Sequence, residues 1–282
     1  MQSMANADVH ETAALFRGGT GQPLLLLHGG TGTWHHWRPV LPKLTTAFEV
    51  IAPTLAGHVG GPAFPVDVRA TIATAADALE RQLDDLGVDT AHAAGNSYGG
   101  ALALELAKRG RVHSVVALSP AFGWEPGSAE GARTGHKFAV LVPRARRSYR
   151  AASFVLRSAA ARRIAFREAM LHGDRMSVRE ALEFTRGAAE FTMLDVLLPV
   201  IRTDADCLPA DLDRIEIPVL LAWAEHDRFV PAATCATRYR REIPGAEFRL
   251  LPGVGHVPMW DNPDLVADTI IEWAHRHEPV RE

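Results

Sequence analysis

Cysteine is almost missing from this chain: Cys207 and Cys235 are the 2 among 282 residues. Neither sits in a C-x-x-C or a Cys/His cluster, so the sequence indicates no disulfide framework and no metal site, and both read as reduced thiols. An excess of charge of one sign is missing as well. Lys plus Arg number 30 and Asp plus Glu 33, a formal net of -3, which offers no overall electrostatic case for nucleic acid. No stretch approaches the ~18 uninterrupted apolar residues of a membrane-spanning helix. Residues 1–6 have neither the basic start nor the apolar run of a signal peptide. These absences lead to the expectation of a soluble, cytoplasmic protein without nucleic-acid or membrane partners. Repeats, low-complexity tracts and long linkers are absent too. The length suits one large α/β domain or one domain carrying an insertion.

What is present is an alternation of short, mostly apolar runs with helical patterns. Residues 23–27, 48–52, 112–118 and 217–223 are too short for typical helices and read as strands buried on both faces of a mostly parallel sheet, with 10–16 as an edge strand and 247–251 as the last. Helical spacing marks 34–44, which Pro42 interrupts, and 68–86, where Ile72, Ala75, Ala76, Leu79, Leu83 and Leu86 share a face. Helices are also expected at 101–108, 231–242 and 264–277. Between 123 and 205 the rhythm stops: no strand pattern occurs, and 148–166, 178–186 and 189–200 read as helices. The predicted fold is therefore α/β, a mostly parallel central sheet flanked by helices. Its core comprises 1–122 and 206–282, and 123–205 form an inserted helical segment. Residues 133–167 of that segment carry ten Lys or Arg and no acid, which reads either as an attractor for an anionic substrate or as a solvated face.

The chemistry centres on Gly95-Asn96-Ser97-Tyr98-Gly99, where a strand runs directly into the helix formers Ala101-Leu102-Ala103-Leu104. Glycines around a serine at a strand-to-helix junction permit a tight turn that lifts the hydroxyl clear, the G-x-S-x-G nucleophile elbow. A serine that only caps the helix is the plainer reading. A serine nucleophile needs a base and a carboxylate to orient that base. His256, in a Gly-x-Gly-His turn after the last strand, and Asp227, after the strand before it, supply both in the order Ser, Asp, His. Glu225 and, more remotely, Asp206 compete for the acid. Parallel strands deliver all three loops to one edge of the sheet. An oxyanion would be held by the backbone N–H of Tyr98, at a helix N-terminus, and by that of Gly30 or its neighbour Thr31. Gly29, Gly30 and Gly32 fit neither spacing of a phosphate-binding glycine loop.

Taken together, His28-Gly29-Gly30, Gly57-His58, the elbow, Asp227-Arg228-Phe229-Val230-Pro231 and Gly255-His256 make the chain resemble the α/β-hydrolase superfamily over nearly its whole length. The resemblance implies a helical cap at 123–205 and a serine hydrolase with catalytic Ser97, Asp227 and His256, needing no metal or organic cofactor. Its partner would be a small, largely apolar ester or lactone. Two positions depart from the family pattern: Thr54 replaces an Asp, and Val59 follows Gly57-His58 where Gly is usual. Asn96 and the Asp-Arg-Phe-Val-Pro segment also look like the meta-cleavage-product hydrolases, which break carbon-carbon bonds in anionic ring-fission products. Ser97 differs from the Asp of dehalogenases and epoxide hydrolases. A ligand receptor that keeps the fold without turnover is the reading from another class. For the substrate pocket the sequence nominates Thr31, Asn96, His136, Phe138, Tyr149, Phe154 and the rim residue Trp260.

Overall fold

The computed structural model describes residues 9–65, 67–203 and 208–278; Asp206 and Cys207 lie outside them. The strands are β1 (His10–Glu11), β2 (Leu15–Gly18), β3 (Gln22–Leu27), β4 (Phe48–Pro53), β5 (Ala91–Asn96), β6 (Val112–Leu118), β7 (Val219–Ala224) and β8 (Glu247–Leu251). They form one sheet of 8 strands in the order β1-β2-β4-β3-β5-β6-β7-β8. β1 and β2 pair antiparallel at the edge, and β2 joins β4 antiparallel. From β4 to β8 every pairing is parallel. The expected single edge strand over 10–16 is thus a hairpin: Thr12 N–H donates to Leu15 O at 2.9 Å and closes the turn.

Side chains alternate across a strand, so a continuous apolar run feeds both faces. Leu25 and Leu27 join one hydrophobic core and Leu24 and Leu26 the other; Val115 and Ala117 part from Val116 and Leu118 in the same way. The face holding Leu25 is covered by α2 (Ile72–Asp85), α3 (Tyr98–Lys108) and α8 (Ala232–Glu242), and the opposite face by α1 (Leu41–Leu44) and α10 (Pro263–Arg276). A capping box fixes the start of α2. Thr71 Oγ1 accepts Thr74 N–H at 3.0 Å, and Thr74 Oγ1 accepts Thr71 N–H at 2.9 Å.

The segment between β6 and β7 contains α4 (Ala129–Val155), α5 (Ala159–Ala165), α6 (Val178–Ala189) and α7 (Leu194–Thr203), and no strand among the described residues. Here the helix boundaries differ from the sequence reading. α4 starts well before residue 148 and runs through Pro143, whose missing N–H and ring usually end a helix. The predicted run 148–166 is split instead at Ser158, which caps α5 by accepting Ala161 N–H at 3.3 Å. A short α9 (Pro258–Asp261) follows the last strand's loop.

Candidate active site

β5 enters the elbow and α3 leaves it, with Ser97 between them at φ 56°, ψ -115°. A non-glycine residue at positive φ carries strain of roughly 1–3 kcal/mol and persists there only where its surroundings hold it. They do: Ser97 N–H donates to Leu118 O at 2.9 Å, and Ser97 O accepts from Ala101 N–H at 3.1 Å and Ala121 N–H at 3.0 Å. Both flanking glycines are required by crowding. A Cβ on Gly95 would stand 2.2 Å from Gly99 O, and one on Gly99 would stand 2.2 Å from Leu27 O. Ser97 therefore does not cap α3 through its side chain, and its hydroxyl makes no hydrogen bond among the described residues.

Asp227 and His256 meet. Asp227 Oδ2 lies 2.7 Å from His256 Nδ1, and the two side chains are 1% and 7% exposed. The other carboxylate oxygen accepts Phe229 N–H at 2.8 Å and Val230 N–H at 2.7 Å, so the carboxylate plane is fixed. The His256 ring stacks on Phe229, centroids 5.3 Å apart. Asn96 Nδ2 donates to His256 O at 2.8 Å and to Leu118 O at 3.2 Å, tying the elbow to the histidine loop. With Nδ1–H committed to the carboxylate, Nε2 keeps the free lone pair. Glu225 points elsewhere, accepting Gly253 N–H at 2.8 Å on the surface; Asp206 is outside the described residues.

The loop after β3 is braced by histidines. His28 Nε2 accepts Leu55 N–H at 2.9 Å, which leaves Nδ1–H to donate to Gly29 O at 2.8 Å. Burial, reinforced by neighbouring His58, holds the His28 pKa well below the ordinary 6.5. Burial likewise lowers His36 to about 3 and His58 to about 4. All three are neutral hydrogen-bonding or packing groups near neutral pH. The sequence pattern around His28 and His58 marks the family but carries no sign of this brace.

Gly30, Ser97 and Tyr98 share a cavity with Phe138, Phe191 and Leu194, its remaining walls also being apolar apart from Thr134. The cavity encloses about 30 Å³. The N–H groups of Tyr98 and Gly30 make no hydrogen bond among the described residues, and Phe138 stands over Gly30, 3.3 Å from where a Cβ would be.

The other nominated residues are placed differently. Thr31, at φ 65°, turns into a separate polar crevice with His36, Glu183 and Trp260. Asn96 is buried and serves the His256 loop. Of the nominated pocket residues only Phe138 lines the cavity: Thr31, Asn96 and Trp260 lie off it, His136 is exposed, Tyr149 packs between helices of the inserted segment, and Phe154 is 77% exposed. The physical reason is the geometry of α4: Thr134 and Phe138, one turn apart, reach the cavity, His136 and Phe154 point away from that stripe, and Tyr149 shares the side of Phe138 but lies three turns further along the helix. α7 supplies Leu194 and Leu197, which the sequence reading did not nominate. The basic run stays outside. Lys137 pairs with Glu168 at 2.7 Å, Arg146 donates to Ala189 O and Phe191 O, and Arg162 to Leu156 O and Asp174 O. No Lys or Arg is among the described residues lining the cavity.

The sequence pattern of the Alpha/beta hydrolase family matches residues 24–269, and the chain belongs to that family. Epoxide hydrolase EphH of Mycobacterium tuberculosis is 33% identical over 201 residues, 70% of this chain and 92% of its own length. A 2-hydroxy-6-oxo-6-phenylhexa-2,4-dienoate hydrolase of Burkholderia cepacia is 25% identical over 273 residues, 93% of this chain and 90% of its own. Among solved structures, a thermophilic esterase from Thermogutta terrifontis superposes with a TM-score of 0.69 at 23% identity, covering 94% of each chain. That last likeness concerns the fold. The protein is an enzyme of the α/β-hydrolase class. No helix among the described residues is long and apolar enough to cross a membrane.

Proposed function

We propose that the protein is a serine hydrolase that cleaves a carboxylic ester or lactone of a small, largely apolar molecule through an acyl-enzyme on Ser97. The observation that carries the reading is the Ser97 backbone, held at φ 56° in the wall of an apolar cavity. Ser97 Oγ attacks the carbonyl carbon while His256 Nε2 takes its proton. Asp227 orients the imidazole and stabilises its protonated form. The N–H groups of Tyr98 and Gly30 receive the developing oxyanion, an interaction typically worth about 3 kcal/mol per donor. The alcohol leaves with the proton from His256, and water, activated by the same histidine, then releases the acid. In this reading 123–205 are the cap that closes over the bound ester.

A carbon-carbon hydrolase is the second reading, supported by the full-length similarity to a dienoate hydrolase. The cavity favours the ester: an anionic dienoate would lose its water there with no Lys or Arg on the described wall to replace it. The similarity to a protein named an epoxide hydrolase points to a third substrate type, and the reading follows Ser97 rather than that name. Mass spectrometry of protein quenched within milliseconds of mixing with a p-nitrophenyl ester tests the mechanism. An acyl adduct on the peptide containing Ser97 is expected. Turnover with no adduct, or an adduct on another residue, would refute the acyl-enzyme.

A further inference from the structure

We propose that the outward face of α4 docks the protein on an anionic lipid surface, with Phe154 and Val155 entering the headgroup boundary and the arginines around them meeting lipid phosphates.

One side of α4 is occupied. Thr134, Val142, Ala145 and Ala152 are buried, and Phe138 reaches the cavity. On the other side Val140, Arg144, Arg147, Ala151 and Phe154 recur at alternating steps of four and three residues, so they form one stripe along the helix. Arg150 and Val155 flank it. All of these are exposed, Phe154 at 77%. α5 follows with Arg163 and Ile164, exposed as well. Surface apolar side chains are ordinarily scattered singly; here a phenylalanine and a valine adjoin, among arginines.

Those arginines have no acid to neutralise them. Elsewhere in the chain Arg109 pairs with Asp77, Glu80 and Glu105, and Arg276 with Glu247 and Glu272. Arg144, Arg147, Arg150, Arg157 and Arg163 form no ion pair among the described residues. The nearest acids in sequence, Glu130 and Glu168, are already paired with Arg133 and Lys137. In a chain of net charge -3 this face is a local concentration of positive charge.

Positive charge around an exposed phenylalanine selects the occupant. Each arginine near an anionic bilayer strengthens binding about fivefold, and guanidinium groups grip phosphate bidentately. Phenylalanine and valine gain by leaving water for the acyl boundary, while arginine stems reach past them to the phosphates. Arg144 and Arg147 line an open groove with Val140 and Pro143, a seat for a headgroup phosphate between two guanidinium groups. A nucleic-acid backbone would leave Phe154 in water, and a second copy of this chain would bring like charges face to face. Docking of this kind needs no spanning helix, so the lack of a long apolar run bears only on crossing.

The test is co-sedimentation of the full chain with vesicles of phosphatidylcholine and phosphatidylglycerol in equal parts, and with vesicles of phosphatidylcholine alone. It does not depend on which bond the enzyme cleaves. Binding is expected to the mixed vesicles only, weakening at least about tenfold between about 0.05 and 0.5 M salt. Arg144→Gln/Arg147→Gln/Arg150→Gln is expected to bind about a hundredfold more weakly, and Phe154→Ser about tenfold more weakly. Both keep the wild-type melting temperature, because the altered side chains are exposed. No binding to mixed vesicles, equal binding to phosphatidylcholine alone, or unchanged binding in either variant overturns the proposal. Tighter binding to a DNA duplex than to the mixed vesicles also overturns it, marking a general polyanion face.

Discussion

The carboxylate of Asp261 accepts the backbone N–H of Gly255, the residue before His256, at 2.8 Å. It also accepts Leu171 N–H at 2.9 Å and His172 N–H at 2.7 Å from the inserted helical segment. One buried side chain thus joins the helical segment to the histidine loop, and Val257 N–H, donating to Ala169 O at 2.8 Å, reinforces the seam.

Removing that carboxylate leaves three amides without their acceptor. Asp261→Ala is expected to lose roughly 3–5 kcal/mol of stability and to lower kcat as the His256 loop loosens. Asp261→Asn, which keeps one acceptor oxygen, loses less. Urea denaturation alongside steady-state kinetics checks both; an Asp261→Ala protein as stable as wild type would contradict the joint.

The two kinds of glycine make a second prediction. Gly99→Ala places a Cβ 2.2 Å from Leu27 O and 2.6 Å from His28 O, a backbone overlap expected to cost more than about 3 kcal/mol or to prevent folding. Gly110 sits at φ 75° with nothing within 4 Å of its Cβ position. Gly110→Ala is strained only by its backbone angle and is expected to cost about 1–2 kcal/mol. Equal costs in urea melts would show that crowding does not set the elbow.

Much of this was legible in the residues. The runs at 23–27 and 217–223 read as central strands because strands buried on both faces are apolar throughout. The elbow, Asp227 and His256 stand out because each closely follows a strand and the three occur in the order Ser, Asp, His. α4 was harder to read. It buries Gly131, Thr134, Gly135 and Ala145, small residues that give a weak amphipathic signal, and Pro143 imitates a stop. The cavity wall depends on how α4 and α7 rotate over the sheet, which no local pattern encodes. Phe138 and Phe154 therefore look alike in the sequence, though only Phe138 faces inward. Asp261 carried no signal because its partners Leu171 and His172 are distant in sequence.

Acid sensitivity follows from the buried histidines. Burial holds the folded-state pKa of His36 at about 3 and of His58 at about 4, against 6.5 when free. Below pH 6.5 the unfolded chain binds protons that the folded chain refuses, so stability falls as pH drops from about 6.5 toward 4 and is full above that window. His58 alone accounts for a loss on the order of 3 kcal/mol at the acid end. Urea melts between pH 7.5 and 4.5 are expected to show this slope, reduced in His36→Gln/His58→Gln. An unchanged slope in that variant would place the sensitivity elsewhere.

The acid of the proposed triad is tested by two variants. Asp227→Asn removes the charge beside His256 Nδ1 and is expected to lower kcat by about 10³–10⁴ with little change in KM. Glu225→Gln, whose carboxylate meets only Gly253 N–H and the surface His226, is expected to behave as wild type. Comparable rates for Asp227→Asn and wild type would contradict the assignment.

The central claim is that Ser97 is the nucleophile, and the most direct measurement is the turnover of p-nitrophenyl esters by Ser97→Ala at unchanged melting temperature. The account predicts a rate at least about 10³ below wild type, with the residue left by oxyanion binding alone. Ester turnover within tenfold of wild type in a fully folded Ser97→Ala protein would contradict it.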